Sequence, residues 1–176
     1  SRVRTRRSRP RAIASAALAA AAVVLLSGCG LIEAAITGYE LPPVRDADSQ
    51  EIVEGGQTHV LNVRIGDCLG GITNDDVIDQ IDVVPCDEPH EFEVMHEFDL
   101  TGDAYPEVEA MDEITIEECD AAFAEFVGIA WEDSVLDWYS VAPTETSWNE
   151  VGDRVVQCFV FDPAGQVTGS LADAGI

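Results

Sequence analysis

Four cysteines, Cys68, Cys86, Cys119 and Cys158, are spread along the body of the chain at successive spacings of 18, 33 and 39 residues. In an exported chain an even set of this kind predicts two disulfides, and a disulfide restricts which elements can be neighbours more sharply than any hydrophobic pattern does. Three pairings are possible. Zinc is the rival reading, but the set holds no C-x-x-C pair and its spacings are not those of a zinc module. Cys68–Cys86 with Cys119–Cys158 is the pairing to expect, because each bridge joins elements that the residue pattern makes neighbours. In the chain-entropy account these loops contribute roughly 3 and 4 kcal/mol, comparable to the whole net stability of a small domain.

The expectation of export rests on the first 29 residues. Arg2, Arg4, Arg6, Arg7, Arg9 and Arg11 precede an apolar run from Ala12 to Leu26 that ends in small residues. This is the charged and then apolar order of an export signal, and the run is short for a comfortable membrane span. Leu26-Ser27-Gly28-Cys29 resembles the lipobox of bacterial lipoproteins, in which one cysteine thiol receives a diacylglyceryl group before cleavage ahead of it. The resemblance implies a lipoprotein signal peptide over residues 1–28 and lipidation of Cys29, with acyl chains such as palmitate giving the stable anchoring that a single chain would not. The expected location is therefore the extracytoplasmic face of the cell membrane. Cys29 as an ordinary thiol after an uncleaved anchor helix is the alternative.

Charge narrows the partners. No acidic residue precedes Glu33, so the 34 acidic residues of the chain fall beyond the arginine-rich start and meet only Arg45, Arg64 and Arg154, a formal charge of −31. Such a body has no clustered cations to neutralise phosphates and is not expected to bind nucleic acid. The acidic pairs Asp75-Asp76, Glu117-Glu118 and Glu132-Asp133 stand in no glycosidase or protease context and read as a solvated face. The run from Asp46 to Glu51 superficially resembles a calcium loop but lacks its central Gly and its twelfth-position Glu, which leaves weak surface calcium open. No metal and no cofactor are expected.

Residues 29–56 show no sustained periodicity and contain Leu41-Pro42-Pro43, so they read as a flexible tether, and residues 57–176 as one domain. Thr58 to Ile65 alternates, with Leu61, Val63 and Ile65 on one face, and delivers Cys68 through Gly66-Asp67. Gly70-Gly71 and Asn74-Asp75-Asp76 mark a loop before a second strand, Val77 to Val84. Residues 90–100 alternate again, with His90, Phe92, Val94, His96 and Phe98 on one face and Glu91, Glu93, Met95, Glu97 and Asp99 toward water. From Pro106 the period becomes helical, with Ile116, Cys119, Phe123 and Phe126 as the buried stripe and Gly128 as the stop. A strand near 134–141, a loop with Pro143 and Trp148, and a strand from Arg154 to Phe161 apolar on both faces complete the body. Asp162-Pro163-Ala164-Gly165 then turns Gln166 to Leu171 back as a hairpin partner. The fold class is α+β, a small, mainly antiparallel sheet with one principal amphipathic helix packed on it.

Cys86 and His90, four residues apart, invite a catalytic thiol or a metal. A nucleophilic Cys86 would have to be a reduced thiolate beside its base, whereas export favours its oxidation. His90 and His96, on one strand face, are roughly 20 Å apart and cannot share a metal. A His90 ring hydrogen-bonded to turn backbone is the better reading. Trp131, Trp138 and Trp148 read as plugs of core and loop, not as a sugar platform.

Taken in order, Gly66-Asp67-Cys68, Val84-Pro85-Cys86, Pro89-His90, Glu93-Val94, Tyr105-Pro106, Cys119 with Phe123, Pro143 with Trp148, Gly152-Asp153-Arg154 with Cys158, and Thr168-Gly169-Ser170-Leu171 are similar to the actinobacterial septum formation family. The resemblance spans residues 60–171 and implies an extracytoplasmic domain without enzymatic activity. On it, Gly66, Asp67, Pro89, His90, Trp148, Gly152, Asp153 and Arg154 are motif residues with structural roles. The expected function is a lipid-anchored envelope binding or scaffolding module, linked to septum formation through an envelope or division protein partner. The alternatives are a wall enzyme acting on peptidoglycan through acidic residues and a ligand-sensing lipoprotein. Carboxylates converging on a cleft of roughly 300–1,000 Å³ would favour the enzyme, and a flat apolar patch a protein partner.

Overall fold

The computed structural model describes residues 41–72 and 80–176. The expected signal peptide, Cys29, the tether as far as residue 40, and the residues 73–79 that include Asp75-Asp76 lie outside the described residues.

A six-stranded antiparallel sheet forms the centre, in the order β3-β5-β4-β6-β8-β7. Its strands are β3 (Gly56–His59), β4 (Cys68–Gly71), β5 (Gln80–Val84), β6 (Phe92–Asp99), β7 (Asp137–Val141) and β8 (Val155–Phe161). A separate two-stranded ribbon pairs β1 (Val44–Arg45) with β2 (Ile52–Glu54). Helix α1 (Val108–Val127) covers one face of the sheet, and the short α2 (Glu145–Glu150) follows β7. The fold is α+β with two disulfides, Cys68–Cys86 and Cys119–Cys158, whose Cα atoms are 5.2 and 5.8 Å apart.

Strand β8 shows why both of its faces are apolar. Cys158 and Val160 join Met95, Phe123 and Val127 under α1, whereas Phe159 points the other way, into a second core with Leu69, Val83, Val94 and Ile52. Alternate side chains of one strand thus serve two cores. The Cys119–Cys158 bridge ties α1 to this strand and is fully buried. Gly128 ends α1 in the left-handed conformation at φ 91, and its N–H donates to the Ala124 carbonyl, the arrangement that favours glycine at a helix C-terminus.

Several expectations need correction. Helix α1 begins after Glu107, so Pro106 precedes it, and its buried stripe is Met111, Thr115, Cys119, Phe123 and Val127. Ile116, expected inside, is 52% exposed. The strand expected over Thr58–Ile65 stops at His59, whose ring Nδ1 accepts the Leu61 N–H and so caps a 3-10 turn over Val60–Asn62. That turn buries Val60 and Val63 and leaves Leu61 and Ile65 outside, against the expected alternation. Gly70 and Gly71 belong to β4. In β6 the pairing with β8 shifts between Val94 and His96, and this irregularity reverses the side-chain phase. Phe92 and Val94 therefore face one core while His96 and Phe98 lie toward α1, and Glu93 and Met95, expected in water, are buried. Gln166–Leu171 does not return as a strand along β8, since Val167 pairs with His90 in an isolated bridge.

The largest correction concerns the tether. Its part from Leu41 onward is folded: β1 and β2 close around the Asp46–Gln50 turn, and Ile52 is buried in the second core. Asp46 organises that turn through Oδ1, which accepts the N–H groups of Asp48 and Ser49 at 2.9 Å each. These backbone bonds lower its carboxyl pKa. The acidic run compared above with a calcium loop is thus a tight turn, closed by the Gln50 N–H on the Asp46 carbonyl at 3.1 Å, whose first carboxylate serves its own backbone.

Candidate functional site

The folded tether and the body meet at Asp67. Gly66, at φ 89, turns the chain into β4, and its N–H donates to the Val94 carbonyl at 2.8 Å. The Asp67 carboxylate that follows is buried and receives both guanidinium arms of Arg45, at 2.7 and 2.6 Å, together with the Arg64 N–H at 2.8 Å. Hydrogen bonding to Asp67 raises the Arg45 pKa, the direction expected for a guanidinium held in a fork. Arg64 is exposed and donates to Gln50 Oε1 at 2.8 Å.

These groups stand on the wall of a cleft of about 880 Å³. It is also bounded by Cys86, the exposed Asp87 and Glu88, and the Ser170 region. Glu93 forms part of its base and is only 1% exposed. One Glu93 oxygen accepts the Ser170 hydroxyl at 2.7 Å and the other accepts the Leu171 N–H at 2.6 Å. Burial raises the Glu93 carboxyl pKa, against the lowering effect of these two bonds.

A carboxylate oxygen of Glu93 and the sulfurs of Cys68 and Cys86 all lie within 4.8 Å of one another. Because the two sulfurs are bonded to each other, neither offers a thiolate, and the trio is no metal centre in this form.

His90 stands behind the cleft wall, fully buried. Its Nδ1 is 2.9 Å from the Glu88 carbonyl oxygen, which can only accept, so Nδ1 carries the proton. Nε2 has no hydrogen-bond partner among the described residues. The His90 backbone exchanges bonds with Val167 at 3.0 and 2.9 Å, and the Gly169 N–H donates to the Cys86 carbonyl at 2.6 Å. Pro89 precedes this bridge without an N–H of its own to satisfy. The C-terminal segment is therefore pinned to the Cys86–Glu93 segment at three successive points.

The other motif residues gather elsewhere, and none of them lines the cleft. Trp148, expected in a loop, lies on α2 and is buried with Leu100, Met111 and Val156. The Arg154 guanidinium stacks 3.5 Å from the centre of its ring, and Tyr105 meets the ring edge-on at 5.8 Å. Asp153 accepts the Ser147 hydroxyl at 3.0 Å and the Val155 N–H at 3.1 Å, and Gly152 makes the intervening turn at φ 74. Trp131 and Trp138 donate to Asp137 and Asp120, and Trp131, expected as a plug, is exposed, whereas Trp148 is buried in its own small core and is not open to a common platform. His96 is partly exposed, 3.9 Å from Glu118. Glu117-Glu118 and Glu132-Asp133 are on the surface.

A family model described as Septum formation matches residues 65–174. The chain belongs to the septum formation family. The match covers Cys68, Cys86, Glu93, His90 and the C-terminal segment that closes over them, and it begins after Arg45. No curated protein and no solved structure matches the chain.

Sequence reasoning missed two residues of this site. Glu93 was assigned to water because the residues that cover it, Ser170 and Leu171, lie far along the chain and leave no mark in the alternation of β6. Arg45 was assigned to a tether, although its being one of three cations among so many carboxylates was a usable sign.

Proposed function

We propose that this member of the septum formation family is a non-enzymatic, lipid-anchored binding module on the extracytoplasmic face of the membrane, and that its cleft takes a segment of an envelope or division protein. Two disulfides suit an oxidising compartment, and among the described residues no helix is long and apolar enough to cross a membrane. Anchoring through Cys29 is the part of this reading carried by the lipobox resemblance.

The observation that carries the binding reading is the state of the carboxylates in the cleft. Its volume alone meets the size expected of an enzyme. Its two buried carboxylates, however, are already bonded within the chain, Asp67 to Arg45 and Glu93 to Ser170 and Leu171. A glycosidase-type acid and base must be two carboxyls that both face the substrate, and Asp67, held in the fork of Arg45, does not supply the second. What the cleft offers to a visitor is the exposed Glu51, Asp87 and Glu88 together with Arg64, a net acidic frame for a basic protein segment. The strongly negative body would steer such a segment toward it.

The test places a photo-crosslinking residue at Ile65, an exposed cleft residue, and separately at Val151, exposed but outside the cleft, in intact cells. A discrete adduct from position 65 that is absent from 151 and lost in D87K/E88K supports the reading. Equal adducts from both positions, or an adduct indifferent to the charge reversal, refute it.

A further inference from the structure

The two disulfides differ in a way that points to chemistry. Cys119 and Cys158 are both fully buried in the core beneath α1. In the other bridge Cys68 is fully buried, but Cys86 is partly exposed and lines the cleft. Beside that bridge, within 4.8 Å of both sulfurs, is the carboxyl of Glu93, which the binding reading leaves without a task.

We propose that the Cys68–Cys86 bridge is a thiol–disulfide exchange site, at which a dithiol entering the cleft attacks Cys86 and Cys68 is the leaving sulfur. This goes beyond the binding reading and does not depend on it. Attack at a disulfide requires access to one sulfur and a stabilised leaving group at the other. Cleft exposure supplies the first at Cys86. The second is the difficult part, because a thiolate released at buried Cys68 would be an uncompensated charge. Glu93 removes that difficulty by acting as the acid.

The step balances as follows. A thiolate of the dithiol bonds to Cys86 Sγ, the Cys68–Cys86 bond breaks, and its electron pair goes to Cys68 Sγ, which takes the proton of the Glu93 carboxyl. The new Glu93 carboxylate keeps the Leu171 N–H and the Ser170 hydroxyl as donors. The dithiol's second thiolate then attacks its own sulfur in the mixed disulfide and releases Cys86, with the Gly66 carbonyl 3.5 Å away to accept its S–H. The two protons lost by the dithiol restore Glu93 and protonate Cys86, so the dithiol is oxidised by two electrons and the bridge is reduced. Burial keeps the Glu93 carboxyl protonated to higher pH than usual, which suits it to the donor role. The charged and titratable groups around Glu93 are His90 on its own segment, the Arg45–Asp67 pair, and Asp87 and Glu88 at the rim, while β8 and the C-terminal segment offer Val160, Ser170 and Leu171.

The test exposes the native, unmutated chain to dithiothreitol, quenches with an alkylating agent and maps the peptides. The Cys68–Cys86 bridge should open at least about tenfold faster than Cys119–Cys158. Cys68→Ser, which leaves Cys86 as a thiol, should form a mixed disulfide at Cys86 with an added small disulfide, releasing one equivalent of its thiol, whereas Cys86→Ser, which leaves only the buried Cys68, should not. Glu93→Gln, close in shape, should slow the opening and flatten its dependence on pH. A lysine-flanked dicysteine peptide reacting faster than dithiothreitol assigns the dithiol to a protein, and the reverse order to a small molecule. If both bridges open together and only in denaturant, or if Glu93→Gln leaves the rate and its pH profile unchanged, the proposal is overturned.

Discussion

Replacing His90 separates the structural role of its ring from any chemical one. In His90→Ala the fully buried imidazole leaves a hole, which by analogy with other large-to-small core changes costs about 2–3 kcal/mol. The bond from Nδ1 to the Glu88 carbonyl is lost as well, about 1 kcal/mol, but the removal of the unpartnered Nε2 returns about the same amount. The net loss is therefore about 2–3 kcal/mol. For a folded unit running from Leu41 to Ile176, the unfolding entropy is about 0.3 kcal/mol per degree, so the melting temperature should fall by about 7–10 °C. His90→Phe is the informative companion. It refills the hole, gives up the ring bond and removes the unpartnered nitrogen, and Glu88 is exposed enough for water to serve its carbonyl. Its melting temperature should lie much closer to that of the unchanged protein. The assay is calorimetry on the purified domain, accompanied by crosslinking from position 65 at low temperature. An unchanged melting curve for His90→Ala combined with loss of the crosslink would refute the reasoning and make the ring a functional group. A Phe variant as unstable as the Ala variant would show that the bond, and not the volume, carries the stability.

Cys29→Ala should release the protein from the membrane or leave an unprocessed precursor, and a membrane-bound product of mature mass would overturn the lipidation reading. Glu93→Gln should gain stability relative to the unchanged protein as pH rises. A carboxyl whose folded pKa is raised favours the folded state while protonated, and that contribution is lost as pH climbs from the unfolded value through the folded one. Urea titrations from pH 4 to pH 8 would check this, and a stability difference that does not change with pH would contradict it. Trp148→Ala should cost roughly 4 kcal/mol, because it empties the small core and leaves Arg154 without the ring it stacks on, and urea denaturation would measure the loss.

The sequence made legible whatever has a local or a strictly periodic cause. Helix α1 could be read because Gly128 and the acidic first turns bound it, and β8 because an apolar run on both faces is what two cores demand. The disulfide pairing could be read because strand, loop and strand on one side, and helix and strand on the other, were already neighbours. Features that arise from one residue out of phase could not. A single irregularity opposite β8 carries His96 and Phe98 to the α1 side, and the His59 ring accepts the Leu61 N–H where the expected strand gives way to a turn. Similarly, nothing local at Gln166–Leu171 says that its partner is His90 and not β8.

The same reasoning explains why the tether and the family match have different edges. The match starts at Ile65, yet Asp67 inside it is buried and carries a charge whose forked partner, Arg45, lies outside it. Leaving such a carboxylate without its cation costs several kcal/mol, far more than an exposed ion pair would. Ile52 adds an apolar side chain to the second core from the same side. The stretch from Leu41 to Gly56 is thus short, acidic and aperiodic by sequence and still part of the folding unit, because two residues in it are demanded by groups far along the chain. It also supplies one wall of the cleft. Whatever enters that cleft therefore contacts both the segment nearest the proposed lipid anchor and the Cys86–Glu93 segment that the C-terminal residues hold in place.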